Sequence, residues 1–298
     1  MKKMRLPLYI ALGVTVIGLI LGSFLDLQIS QGLGASASNG FAVGVSAIAP
    51  TFGFAAIAFI GGGFFALGMK PTYKTVFRVL FFVAAAACLG MSVYFAGQEY
   101  FGANGFAGKA PMIVGYLIAL VVLTGVSVGG YFVLRDVTHP YAWVIYVIAL
   151  GVAFIALVPG TTLLKAIFHR PRYRSLVLYE GIDFHAWWKP CSNYKELMAQ
   201  YSLTSEEFKS FPSGHSCEIS LLFLVPTFLP VVSEKIRKIQ IPLFVCTAVL
   251  ALLTMFCRIL AGAHFLSDVS VGAMLILVFA IIANEVILHN PKLSVEGE

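Results

Sequence analysis

Residues 257–268 read Cys-Arg-Ile-Leu-Ala-Gly-Ala-His-Phe-Leu-Ser-Asp and lie at the seam between two strongly apolar segments, 241–257 and 266–288. Arg258, His264 and Asp268 are costly there, and ionisable groups at membrane depth are usually retained for a function. If the segment after Gly262 is helical, His264 and Asp268 stand four residues apart on one face. The carboxylate then accepts a hydrogen bond from one imidazole nitrogen. The other nitrogen is left to act as nucleophile or base, with the carboxylate fixing the tautomer and stabilising the cation formed on attack. The pair also admits a plainer reading, a His and an Asp satisfying each other beside a membrane surface.

Working outward, the chain has 298 residues, of which 59% are hydrophobic and 11% charged, and its mean hydropathy is +0.90. No soluble core absorbs that much apolar sequence, so the expected class is all-α, a polytopic integral membrane bundle. No linker or low-complexity run divides residues 1–298, which are expected to form a single membrane domain. The net charge of +6 comes from short Lys and Arg clusters between apolar spans. That pattern argues for membrane topology and against nucleic acid as a partner. Five widely spaced cysteines suggest neither a disulfide framework nor a zinc site. The apolar run after Met-Lys-Lys-Met-Arg is followed by Phe24, Leu25, Asp26 and Leu27 rather than a small-residue cleavage pattern, and is expected to be a retained first span.

Eight stretches reach or approach the roughly 20 apolar residues a bilayer core requires. They are 7–25, 48–69, 77–97, 112–134, 142–164, 215–232, 241–257 and 266–288. With the N-terminus inside, the inner loops hold Lys2, Lys3, Arg5, Lys70, Lys74, Arg78, Arg135, Lys235, Arg237, Lys238 and Lys292, while the first two outer loops hold only Lys109. This is the positive-inside pattern. Lys165, Arg170, Arg172 and Arg174 at the outer end of the fifth span break it, as does Arg258 at that of the seventh. Snorkelling explains any one of them but not five beside two histidines. The long outer loop 173–212, with Trp187 and Trp188 among its aromatics, is expected to be a lid at headgroup level or an ordinary aromatic belt. Gly61, Gly62 and Gly63, and Gly125 with Gly129, suit close helix approach, not phosphate binding.

Three patches then share the outer face: Lys165 with Arg172, Phe211-Pro212-Ser213-Gly214-His215-Ser216, and the opening stretch. Ser213 is placed to cap a helix whose N-terminus, at Ser213 and Gly214, can cradle a phosphate, with His215 facing the same anion. Three cations, a helix terminus, one oriented histidine and a second histidine are the parts phosphoryl transfer requires. A metal held by His215, His264 and Asp268 is the competing reading. Crowding Lys165, Arg172 and Arg258 around a dication opposes it electrostatically.

These patches resemble the signature motifs of the type-2 phosphatidic acid phosphatase superfamily, the lipid phosphate phosphatases: Lys-x6-Arg-Pro, Pro-Ser-Gly-His and Ser-Arg-x5-His-x3-Asp. Order and spacing match, and residues 142–288 fit the family's arrangement of spans. The resemblance implies that His264 attacks phosphorus to form a phosphohistidine while Asp268 holds its ring. It implies that His215 protonates the leaving oxygen and then activates water. Lys165, Arg172, Arg258 and the backbone at Ser213 and Gly214 would bind phosphate, with neither metal nor cofactor. Tyr173 replaces the motif's Pro and Cys257 its Ser, which puts an oxyanion contact at position 257 in question. The family's six-helix core has three spans before the first motif; this chain has five, so a pair has been added among the first-half spans, 7–134.

The expected function is therefore a membrane phosphatase acting on a lipid phosphate or lipid diphosphate at the outer leaflet, with phosphatidic acid, phosphatidylglycerol phosphate and a polyprenyl diphosphate as candidates. A lipid or sugar phosphotransferase is the alternative. An anion or lipid transporter is more remote, because the charges gather at span ends and no internal repeat is evident. The compact chain and spare loops point to a bacterial cytoplasmic membrane.

Overall fold

The computed structural model describes residues 2–101 and 109–293, and the side chains of residues 2, 99–101 and 109–112 are left out of the description. Thirteen α-helices are found among the described residues, and no strand. In chain order they are α1 (Lys2–Gly32), α2 (Gly40–Gly68), α3 (Thr75–Phe101), α4 (Lys109–Leu134), α5 (Ala142–Ile155), α6 (Leu164–Phe168) and α7 (Tyr173–Leu178). There follow α8 (Tyr194–Tyr201), α9 (Gly214–Ser220), α10 (Leu224–Phe228), α11 (Glu234–Lys238), α12 (Gln240–Leu260) and α13 (Leu266–His289). Eight helical segments among the described residues are long and apolar enough to cross a membrane. Large apolar side chains such as Phe24, Val121 and Val249 face outward, as contact with lipid requires. The chain is an integral membrane protein. The helices occupy the stretches expected from the sequence; the outer loop between the third and fourth spans includes 102–108, which lie outside the described residues.

Two spans are broken, each at proline. Pro159 has no N–H to return to the preceding turn, and α5 widens into a π-helical segment, Ala156–Leu163, before resuming as α6. In the sixth span Pro226 and Pro230 divide the helix into α9, a 3₁₀ turn, α10 and a second 3₁₀ turn. The Pro226 carbonyl accepts from Gln240 Nε2 at 3.0 Å. This broken span is the centre of the bundle, with 83% of its most apolar window buried. α2, α12 and α13 pack around it, and α1 lies along α13. α3 and α4 pack chiefly on α2 and on each other. The spans of α1, α2, α5, α9–α10, α12 and α13 thus form a six-span core with α3 and α4 beside it, the pair that sequence could not locate.

Small residues set the close approaches, though not all those expected. Gly61, Gly62 and Gly63 lie against Cys88, Ser127 and Tyr146, whereas Gly125 and Gly129 face open space and Gly130 meets Phe59 instead. The basic residues assigned to inner loops gather at one end, where Lys70 donates to the Val137 carbonyl and Lys235 pairs with Asp136 at 3.0 Å. The motifs meet at the other end: Arg174 N–H donates to Gly262 O at 2.9 Å, and Ser213 N–H to Asp268 O at 3.0 Å.

The turn joining α12 to α13 depends on Gly262, whose φ of +62° is left-handed and whose missing Cβ would stand 3.2 Å from Arg174 Cβ. Gly262→Ala is expected to destabilise the protein by about 1–2 kcal/mol. A lowered thermal midpoint in detergent, with the helical circular-dichroism signal retained, checks it.

Candidate active site

His264 lies in the turn before α13, not within it, because the helix starts at Leu266. The expected one-face geometry therefore does not form: His264 Nδ1 is 3.9 Å from Asp268 Oδ2 and instead lies 2.7 Å from the Ser210 carbonyl. A carbonyl only accepts, so Nδ1 carries the hydrogen and Nε2 the lone pair. Ser210 joins the two residues, since its Oγ donates to Asp268 Oδ2 at 2.6 Å. The remaining contacts of Asp268 hold it firmly. Its Oδ2 accepts from Phe265 N–H at 2.8 Å, capping the first turn of α13, and its Oδ1 accepts from Arg170 at 2.5 Å.

The other predicted residues converge on this histidine. Burial, then the charges of Arg258, Arg172 and Lys165 and the neighbouring His215, hold the His264 imidazole well below its usual 6.5. Arg258 comes from the last turn of α12, and Arg172 from the chain just before α7, where its Nε donates to Glu206 O at 2.7 Å. Glu206 Oε2 lies 3.7 Å from the Arg172 guanidinium. Burial opposes ionisation of Glu206, but Lys209, Arg172 and Lys165 together hold its pKa below the usual carboxylate range. Lys165, from α6, brings its Nζ to 3.1 Å from where a side chain on Gly214 would begin.

Ser213 caps α9 as expected, accepting from Ser216 N–H at 3.3 Å. Its own N–H is committed to the Asp268 carbonyl. The Ser213 N–H is therefore not open to a phosphate, and in the first turn the N–H groups of Gly214 and His215 are the ones that precede the intrahelical ladder. His215 Nδ1 lies 3.9 Å from Glu218 Oε2. Cys257 is fully buried and packs with Ala42 of α2, Ala261 and Ala263. Tyr173 packs edge-on against Phe265.

The segment 173–212 is folded over this end of the bundle around Ile182, Cys191, Leu197 and Phe208. Trp187 anchors it, stacking on Phe211 with ring centroids 5.5 Å apart and donating to Ser23 Oγ of α1 at 2.9 Å. Trp188 is half exposed and rests edge-on against Trp187. Among the described residues, no three His, Cys, Asp or Glu side chains come together as metal ligands.

A family model described as PAP2 superfamily matches residues 140–291, which hold all of these motif residues. The chain belongs to the PAP2 superfamily. Members of this superfamily are phosphatases, and the function of the chain is of phosphatase type. Neither the curated proteins nor the solved structures give a match to it.

Sequence reasoning missed four residues that lie in or against this candidate site. Ser210 stood two residues before Pro212 of the second motif without a signal of its own. Arg170 was visible as a misplaced cation, Asp26 as an acid at the end of an apolar span, and Glu218 as one inside a span, three residues after His215.

The depressed His264 value has a definite sign. Below about pH 6.5 the unfolded chain takes up a proton that the folded one refuses, so acid removes stability through this ring. Arg258→Gln removes the leading charge cause and is expected to move the His264 ionisation up toward 6.5. The ¹⁵N shifts of the imidazole followed against pH check this.

Proposed function

We propose that the protein removes the terminal phosphate from a lipid phosphate or lipid diphosphate through a phosphohistidine on His264, without a metal. The observation that carries the lipid reading is a cavity of about 800 Å³ between α2, α3 and the fifth span. Its body is apolar, with Phe54, Met91, Phe95, Phe154 and Leu157 in the walls, and one end is polar, with Lys165, Lys209, Gly214 and Glu218. An amphiphile with an anionic head and long tails has that distribution of chemistry. The cavity reaches Lys165 and Gly214 but not the buried His264.

In this reading the head sits among Lys165, Arg172 and Arg258, which spread the charge on the equatorial oxygens. Nε2 of His264 attacks phosphorus as the bond to the leaving oxygen breaks, and His215 gives that oxygen its proton. His215 then takes a proton from water, whose oxygen attacks phosphorus and displaces His264, releasing inorganic phosphate. Asp268 and Ser210 hold the ring and favour the cation formed on attack. Phosphatidic acid, phosphatidylglycerol phosphate and a polyprenyl diphosphate all fit the head and tail chemistry. The loop charges support an outer-leaflet site, and the contacts between α1 and α13 support residues 1–298 working as one domain.

Phosphate release by the purified protein in detergent with EDTA tests this. Wild type is expected to stay active and His264→Ala to lose at least about 10³-fold. Ala87→Trp, which fills the apolar cavity, is expected to raise KM for a long-tailed lipid phosphate and leave a short-chain analogue unaffected. Release abolished by EDTA, or retained by His264→Ala, would contradict the mechanism.

A further inference from the structure

Outside the residues matched by the family stands one buried charge that reaches the site. Asp26 of α1 is 2% exposed, and Arg170 and Asp268 are at 1% and 0%. Arg170 lies between the two carboxylates, with Nη2 2.9 Å from Asp26 Oδ2 and Nη1 2.5 Å from Asp268 Oδ1. Asp26 also accepts from Ser267 N–H at 2.9 Å and from Ser267 Oγ, and Ser267 Oγ in turn accepts from Arg170 Nη1 at 2.8 Å. Its carboxylate therefore sits on the N-terminus of α13 at Ser267, the residue before Asp268, where negative charge and the helix dipole attract. A side chain at Gly22 would begin 2.6 Å from Ser267 N, so α1 comes this close only because that residue is glycine. Arg170 Nε donates to His185 O of the covering segment at 2.8 Å, and its guanidinium lies 4.2 Å from the Phe265 ring centre.

We propose that Asp26 and Arg170 are positioning residues for the phosphatase reaction, with α1 holding Asp268 in place through Arg170. The proposal rests on the reading of His264 and Asp268 given under Proposed function. Two carboxylates around one guanidinium leave the group with a net negative charge beside His264. That charge favours the cation formed when Nε2 attacks, and Asp26 supplies the excess. Without it, Arg170 neutralises Asp268 alone, and its hold on the first turn of α13 is loosened.

The test compares wild type, His264→Ala, Asp26→Asn, Asp26→Glu and the double variant Asp26→Asn/Arg170→Gln, with kcat, KM and thermal midpoint measured on one short-chain lipid phosphate. Asp26→Asn is expected to lower kcat about 10-fold, as outer partners of reacting groups commonly do, with KM within about twofold and Asp26→Glu recovering part of the loss. The double variant restores the net charge of the group but removes the Arg170 bridge between α1 and Asp268, so its kcat is expected to stay low. If Asp26→Asn alone folds poorly, Asp26→Glu decides the matter, because it keeps the charge that balances Arg170 while displacing the carboxylate. A purely structural role predicts that kcat returns with stability, and that result would overturn the proposal, as would a folded Asp26→Asn with wild-type kcat. If His264→Ala keeps wild-type activity, the underlying mechanism fails instead.

Discussion

A guanidinium almost without solvent, held between Asp26 and Asp268, is the constraint on which the site end of this protein depends. Desolvating three charged groups is expensive, and removing the central guanidinium from such a buried cluster costs about 3–5 kcal/mol, because the carboxylates left behind are uncompensated. The cluster is stable only while α1, the chain before α7 and the first turn of α13 keep their places. Those are the segments around His264. Arg170 also fixes the covering segment through His185 O, so the floor and roof of the site share one anchor. At the opposite end of the same seam, Arg5 Nε pairs with Glu285 at 2.8 Å, and α1 is thereby tied to α13 at both ends.

The broken sixth span follows from a second constraint. A continuous helix would carry Ser213, Gly214 and His215 on a regular face, but Pro226 and Pro230 divide it, and Gly272 of α13 leaves room for the Ser213 carbonyl and for Ser216. The N-terminus of α9 is consequently held against α13, where the Ser213 N–H meets the Asp268 carbonyl. The fifth span, widened at Pro159, carries Lys165 to the same place. α3 stands outside the six-span core, yet it supplies one wall of the apolar cavity that ends at Lys165. Of the helix pair beside the core, α3 thus contributes to the apolar cavity, and no described residue of α4 lines it.

The eight spans were legible because apolar length and loop charge are one-dimensional properties of a membrane chain, and the helices fall on the stretches from which they were read. The motif residues were legible for a similar reason, since their spacing is local. What was hidden depends on contacts between distant segments. Nothing near Ser210 shows that its carbonyl meets His264 and its hydroxyl Asp268. The four-residue spacing of His264 and Asp268 suggested a direct hydrogen bond, but a helix starting at Leu266 leaves the histidine outside and lets Ser210 come between. Asp26 and Arg170 are 144 positions apart, a separation no sequence pattern bridges. Arg170 betrayed itself only as a cation on the wrong side of the topology.

The central claim is that Ser210 fixes the Nδ1–H of His264 and leaves Nε2 as the nucleophile. The most direct test is to mix the protein with a ³²P-labelled lipid phosphate, quench in alkaline detergent within one turnover, and map the label. The account predicts an alkali-stable, acid-labile phosphohistidine at position 264 with phosphorus on Nε2. Label on Nδ1 or on another residue, or phosphate release with no covalent label at any quench time, would contradict it.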